Sequence, residues 1–112
     1  MKPIDFEKVL TDRLIAIKAV LGKKAGEYAR GDDRLHNFKR VAAVKGCTAA
    51  DACIDGFCKH LVSILDMVDD LGKGTKNPVA LWDEKIGDAI NYLILLEAII
   101  KEGTNENKSH IN

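Results

Sequence analysis

The sequence predicts an all-α fold, a bundle of four helices, in one domain built from 112 residues. Apolar residues recur at three- and four-residue steps along most of the chain, which is the period of amphipathic helices. Glycine, proline and N-cap residues divide the chain into four such stretches. None of these stretches has the two-residue period of a β-strand, so a sheet is not expected.

The first helix begins at Pro3, because proline is favoured in the first turn of a helix. Its end is ambiguous, since either Gly22 or Gly31 is a suitable stop, and the longer helix is favoured. A turn follows in which Asp32 or Asp33 is the candidate N-cap of a short second helix.

Capping residues also delimit the other helices. The second helix is expected to end at Gly46, and Thr48 with Asp51 three residues later predicts an N-cap for the third. The third helix is expected to end at Gly72, before a connection rich in glycine and ending in proline. The fourth is expected to end at Gly103.

The fourth helix contains the most apolar segment of the chain, residues 82–100. Its expected core stripe consists of Trp82, Ile86, Ala89, Ile90, Leu93, Leu96 and Ile100. The domain is therefore expected to span residues 1–103, and the polar tail, residues 104–112, is expected to be disordered.

Composition excludes several classes of function. Seventeen basic and seventeen acidic residues cancel, so a surface for a nucleic-acid polymer is not expected. Neither a signal peptide nor a membrane span is recognisable, which predicts a cytoplasmic protein without a membrane partner. Cys47, Cys53 and Cys58 are odd in number and lack the spacing of zinc ligands, so they are expected to be buried or half-buried free thiols.

Polar side chains form rows on the shoulders of three helices. On the fourth helix, Glu84, Asp88 and Asn91 are spaced four and three residues apart and share one face. The candidate ligand-binding residues are Arg34, Asn37, Lys59, His60, Asp66, Glu84, Asp88, Asn91 and Tyr92. Cations and amides suit phosphates and base edges, and carboxylates suit hydroxyls or Mg²⁺.

A plainer interpretation is that these rows are solvated helix faces, whose ion pairs stabilise a helix by only about 0.2–0.5 kcal/mol each. His60 is then a packed residue, and Tyr92 belongs to the rim of the core. Asn91 fits this interpretation least well. Asparagine is a poor helix former, and its amide needs a partner if it is buried within an apolar helix.

Three segments carry a resemblance to known proteins. They are Asp33-Arg-Leu-His-Asn-Phe38, Lys59-His-Leu-Val-Ser-Ile-Leu-Asp66 and Trp82-Asp-Glu-Lys-Ile-Gly-Asp-Ala-Ile-Asn-Tyr92. In this order they resemble small all-α proteins of bacteriophages and prophages, over about residues 27–101. More distantly, the order is similar to phage nucleotide-metabolism domains near the MazG-like all-α NTP pyrophosphohydrolases. The Glu-Glu-x-x-Glu motif of those enzymes is absent here, which argues against hydrolysis.

The resemblance implies a phage-derived protein that binds a small nucleotide, either an immune signal or a metabolite, in a cleft between helices. Arg34 and Lys59 would contact phosphate, and Asn37 and Asn91 would offer amide hydrogen bonds. Asp66, Glu84 and Asp88 would hold ribose hydroxyls or a cation.

Two alternatives remain open. One is a Mg²⁺-dependent nucleoside triphosphate pyrophosphohydrolase with Glu84 and Asp88 as metal ligands; otherwise no cofactor is expected. The other is an oligomeric interaction protein without a ligand. A homo-oligomer is expected in every case, because four helices in so short a chain cannot hide all their aliphatic side chains.

Overall fold

The computed structural model describes residues 1–28, 31 and 33–111, with side chains described outside residues 23–28 and 105–111. The described chain forms four helices: α1 (Pro3–Tyr28), α2 (His36–Lys45), α3 (Ala49–Gly72) and α4 (Val79–Ile111). The predicted all-α class is confirmed, and no β-strand occurs among the described residues.

Two predicted boundaries have the expected hydrogen bonds. Gly46 ends α2 in the left-handed conformation, with φ 69°, and its N–H donates to the carbonyl of Ala42. At the start of α3, the N–H of Asp51 donates to Thr48 Oγ1 and the N–H of Thr48 donates to Asp51 Oδ2. This capping box fixes the helix start and lowers the pKa of the Asp51 carboxyl through hydrogen bonds from Thr48.

The long helices differ from expectation at one end. Gly22 lies within α1, so the longer first helix is confirmed as far as Tyr28. The sequence predicted that α4 ends at Gly103, but α4 continues to Ile111. The hydroxyl of Thr104 donates to the carbonyl of Ile100 at 3.0 Å, so the turn around Gly103 remains helical. The domain boundary at residue 103 stays a prediction.

The turn before α2 differs from a simple N-cap. Leu35 is the residue preceding the helix, and no side chain caps it. Asp33 instead accepts a hydrogen bond from the N–H of Leu35 at 2.9 Å, which stabilises the turn before the helix begins. The other candidate, Asp32, lies outside the described residues.

The centre of the molecule is a hairpin of α3 and α4. Cys53 Sγ lies 3.4 Å from the carbonyl oxygen of Tyr92, and His60 contacts Asp88, so the two helices run antiparallel. The α2 helix packs on α3, and α1 packs on α4 less extensively. These pairings bring parts of all four helices around one end of the hairpin.

One arginine of α1 makes a direct contact with α4. Arg13 Nη2 donates to the carbonyl of Asp83 at 3.1 Å. A Cβ atom added at Gly87 would lie 2.6 Å from Arg13 Nη1, so the guanidinium lies directly against the α4 backbone. A larger residue at position 87 would displace the end of the Arg13 side chain from this position.

The core is small. The buried apolar residues are Leu35, Ala42, Ala52, Cys53, Met67 and Ala89. The expected core stripe of α4 is correct for Ala89, but Ile86, Leu93 and Ile100 are 37%, 47% and 55% exposed. Helical spacing identifies an apolar stripe without identifying which neighbour covers it.

The protein is elongated, with dimensions of 54 × 32 × 26 Å. Its radius of gyration is 17.1 Å, whereas a compact chain of this length has about 13 Å. Within the described residues, the structure contains no helix with the length and apolarity needed to span a bilayer.

Candidate functional site

The four helices enclose one partly open cavity of about 240 Å³. Its lining is Leu21 from α1, Arg34, Asn37, Phe38 and Val41 from the α2 region, Ala52 from α3, and Asp88, Asn91, Tyr92 and Leu95 from α4. We call this space the interhelical cavity. Five of its lining residues are candidates named from the sequence, and they meet because the antiparallel hairpin brings the α2 region against the centre of α4.

Asn91 is the most unusual residue of the interhelical cavity. It is only 7% exposed, and its Oδ1 is buried without a hydrogen-bond donor. Leaving a polar group buried and unpaired costs about 1–3 kcal/mol in proteins. Asn91 is a lining residue, so its amide is suited to a ligand that brings an N–H or O–H group into the cavity.

Aromatic rings form another part of the wall. The ring centroids of Phe38 and Tyr92 are 6.2 Å apart at an interplanar angle of 72°, an edge-to-face contact. His60 lies behind Tyr92, with ring centroids 5.0 Å apart. A Cβ atom added at Gly56 would come within 2.5 Å of Tyr92 Cε1, so this glycine leaves the space that the ring occupies.

Arg34 supplies positive charge at the cavity. One of its N–H groups, on Nη2, donates to the backbone carbonyl of Leu21 at 3.0 Å and ties the residues before α2 to α1. A guanidinium has five N–H donors in a fixed plane, so this single bond orients it without using most of its donors. Asn37, one helical turn later, is exposed at the cavity edge.

Asp88 lines the cavity and also contacts the imidazole beside it. Its Oδ2 lies 3.7 Å from His60 Nδ1, and both side chains are about one-quarter exposed. His60 therefore touches the cavity wall from outside, through Asp88 and Tyr92, and is absent from the lining itself.

Four sequence candidates do not line the cavity: His60 lies beside its wall, and Lys59, Asp66 and Glu84 are exposed. Helical spacing nevertheless puts two of them on its side of the hairpin. Glu84 precedes Asp88 by one turn, and Lys59 follows Ala52 by seven residues, or about 10 Å along α3. They extend the polar rows outward from the Asp88 end of the cavity.

An ion network lies beside the start of α2. Lys39 Nζ contacts Asp33 Oδ2 at 2.8 Å and also contacts Glu102 Oε1. The hydrogen bond from Lys39 lowers the pKa of the Asp33 carboxyl, and the two carboxylates raise the pKa of Lys39. The network joins the turn before α2 to the far part of α4, and nothing in the sequence pattern predicted it.

The carboxylates that the structure describes do not form a metal centre. No three acidic, histidine or cysteine side chains in the described part of the chain are close enough to hold a metal ion together. Glu84 and Asp88 alone would supply two ligands from one helix, whereas hydrolysis assisted by two metal ions needs a larger set of oxygen ligands. This arrangement gives the pyrophosphohydrolase alternative no support.

Several lining residues were missed as site residues. They are Phe38, Val41, Leu21 and Leu95, whose apolar character alone gives no signal of a ligand site. The sequence signal for the Tyr92 contact is Gly56, a helix-weakening residue within the otherwise favourable α3.

Comparison of the chain with protein-family models, curated proteins and solved structures found no match. The resemblance to phage proteins and to MazG-like enzymes therefore stays a prediction.

Proposed function

We propose that this protein binds a small nucleotide, with the base in the interhelical cavity and the phosphates outside it. The observation that carries the proposal is Asn91, a buried residue of the cavity lining whose Oδ1 has no hydrogen-bond donor. Small-molecule sites are typically apolar clefts with a few convergent polar groups, and drug-sized ligands occupy roughly 300 Å³ or more. A cavity of about 240 Å³ suits a base better than a whole nucleotide.

The wall chemistry supports a base over an aliphatic ligand. Phe38 and Tyr92 offer ring surfaces, and stacking on an aromatic side chain stabilises a bound base by about 1–3 kcal/mol. Asn91 offers an amide, and an asparagine amide pairs with adenine by accepting from its amino group and donating to a ring nitrogen. Adenine nucleotides are therefore the first ligands to test.

Charge outside the cavity supports binding of the remaining parts of a nucleotide. Arg34 retains N–H donors at the lining, and exposed Lys59 lies beyond the Asp88 end. The Asp88 carboxylate is an acceptor suited to ribose hydroxyls. Asp66 and Glu84 are exposed away from the lining, and we assign them no direct contact.

The proposed role is retention of an intact nucleotide, as in sequestration. The absence of a converging carboxylate set among the described residues favours binding over hydrolysis. An interaction protein without a ligand is the second candidate, and it is favoured by the large exposed apolar surface of α1, α3 and α4.

A release experiment tests the proposal. The protein is incubated with nucleoside mono- and triphosphates and cyclic nucleotides plus Mg²⁺, repurified and heated, and both fractions are analysed by mass spectrometry. We expect intact nucleotide in the heat-released fraction. New monophosphate and pyrophosphate in the flow-through would establish the enzyme alternative instead, and a released fraction without nucleotide would refute binding.

Calorimetry with matched ligands tests the role of the amide. Replacing adenosine monophosphate by inosine monophosphate exchanges the amino group of the base, a donor, for a carbonyl oxygen, an acceptor. In the proposed complex this oxygen faces Asn91 Oδ1. We expect binding to weaken about 5- to 150-fold, equivalent to about 1–3 kcal/mol. Lys59→Ala should weaken binding in a salt-dependent manner, whereas Lys76→Ala, in the α3–α4 connection, should not. Equal affinity for both nucleotides would contradict the assignment.

A further inference from the structure

An unpartnered apolar stripe runs along α3. Its members are separated alternately by four and three residues, which is the heptad spacing of helices that pack against one another. They are Ile54, Cys58, Leu61, Leu65 and Val68. All five are exposed, and Leu65 and Val68 are 53% and 50% exposed.

A second stripe runs along α4 at intervals of seven residues: Val79, Ile86, Leu93 and Ile100. Their exposed fractions are 74%, 37%, 47% and 55%. A seven-residue apolar repeat sustained over three intervals supplies one of the two positions per heptad that form the seam between packed helices. The protomer leaves this seam in water.

The two stripes lie on the same side of the hairpin. Leu61 follows His60 and Leu93 follows Tyr92, residues through which α3 and α4 face each other. Each of these stripe residues thus comes one position after a residue that contacts the other helix, which places it about 100° further around its own helix. Because the helices run antiparallel, these rotations turn both stripes toward one face.

The cavity lies on the opposite side. Ala52 precedes Cys53 and Asn91 precedes Tyr92, and both Ala52 and Asn91 line the cavity. They are therefore rotated from the contact residues in the sense opposite to that of the stripes. The hairpin therefore has an inner side that carries the cavity and an outer apolar face made of the two stripes. The exposed stripe residues are not part of the candidate ligand site.

The protomer exposes more surface than is usual for a folded chain of its mass. The chain exposes 8325 Å², whereas a folded monomer of this mass exposes about 6,100 Å². The excess, about 2,200 Å², exceeds the roughly 800 Å² that each partner buries in a standard interface. This excess is distributed over the whole chain, α1 as well as the outer apolar face, and it is large enough to include a dimer interface on that face.

We propose that the outer apolar face binds the same face of a second copy of this chain, forming an intermolecular four-helix bundle. A two-fold axis pairs a surface with itself, so the interface must be self-complementary. Heptad stripes on two antiparallel helices meet this requirement, since apolar ridges of one hairpin fit the grooves of another at a small crossing angle.

Sedimentation velocity without nucleotide tests this interface separately from ligand binding. We expect the parent to sediment at twice the 12.3 kDa chain mass at micromolar concentration. Leu65→Glu and Leu93→Glu should shift it to the monomer. The matched control is Val44→Glu on α2, an apolar residue that is 82% exposed and off the outer apolar face, and it should remain dimeric. A monomeric parent, or stripe variants that dimerise like the parent, would overturn the proposal.

Thiol labelling of the parent keeps the test valid if the glutamate variants do not fold. Cys58 is exposed in the protomer but lies within the α3 stripe, so the dimer should protect it. Its alkylation rate should rise as the protein is diluted toward the monomer. A Cys58 peptide that is labelled at the same fast rate at every concentration would overturn the proposed interface.

Discussion

Replacing Asn91 by leucine should separate stability from binding. Leucine has the same number of heavy side-chain atoms and the same branching, although its methyl groups are larger than the amide, and it removes the buried acceptor that has no donor in the protomer. Removing a buried polar group that has no partner raises the free energy of unfolding by about 1–3 kcal/mol. Part of this gain is lost because leucine fits the asparagine site imperfectly, at a cost below about 1.5 kcal/mol. We therefore expect Asn91→Leu to stabilise the free protein by about 1 kcal/mol.

The same substitution should remove the response to ligand. A ligand present at 100 times its Kd stabilises the parent by about 2.7 kcal/mol, since it binds only the folded state. Asn91→Leu should show little of this increase, because its cavity no longer accepts a hydrogen bond. The order of stability is thus predicted to invert: the variant is more stable without ligand, and the parent is more stable with it.

Urea denaturation with and without adenosine monophosphate measures both effects. The control is Asn37→Leu, which makes the same replacement at a lining residue whose amide is exposed to water. It should change the free energy of unfolding of the free protein by less than about 0.5 kcal/mol. A marked loss of stability in ligand-free Asn91→Leu would refute the reasoning, because the carbonyl would then have a partner within the protein. Unchanged ligand stabilisation would refute the assigned contact.

Two further predictions concern packing and pH. Gly56→Ala should destabilise the protein, since the added carbon meets the ring of Tyr92, and such overpacking costs about 1–3 kcal/mol. Gly103→Ala, with open space around it, should instead gain up to about 1 kcal/mol of helix propensity, and equal gains in urea midpoint for both variants would contradict this. At pH values below about 4, the melting temperature should decrease. Asp33 and Asp51 have lowered pKa values in the folded protein, so the stabilisation that their carboxylates provide is lost as the pH falls through those values. Asp51→Asn should reduce this fall, and an acid transition that is unchanged in the variant would show that other groups cause it.

Local sequence rules predicted the fold well where a boundary depends on a single residue. Gly46 and the Thr48–Asp51 pair end one helix and begin the next because their hydrogen bonds are local. The end of α4 was misplaced because glycine only weakens a helix, by about 1 kcal/mol, and neighbouring turns can continue it. A local signal therefore predicts a helix end where the residue's own hydrogen bonds close the helix, as at Gly46, and not where a glycine only weakens it, as at Gly103.

The candidate site was predicted only in part, for a related reason. Periodicity identified the row that contains Asp88 and Asn91, but it could not tell where along α4 the other helices would meet it. Glu84 belongs to the same row and is exposed, because the cavity begins one turn later. The buried state of Asn91 required knowledge of four helices at once, which no single stretch of sequence contains.

The weaker attachment of α1 has a consequence for motion. The α3–α4 hairpin joins neighbours in sequence, whereas Arg13 of α1 reaches Asp83, 70 residues away. Segments with less packing open at lower free energy, so amide hydrogens of α1 should exchange before those of the hairpin. Opening would also withdraw Leu21 from the cavity wall and break its bond to Arg34. Deuterium uptake by the end of α1 would then report the opening that removes Leu21 from the cavity wall.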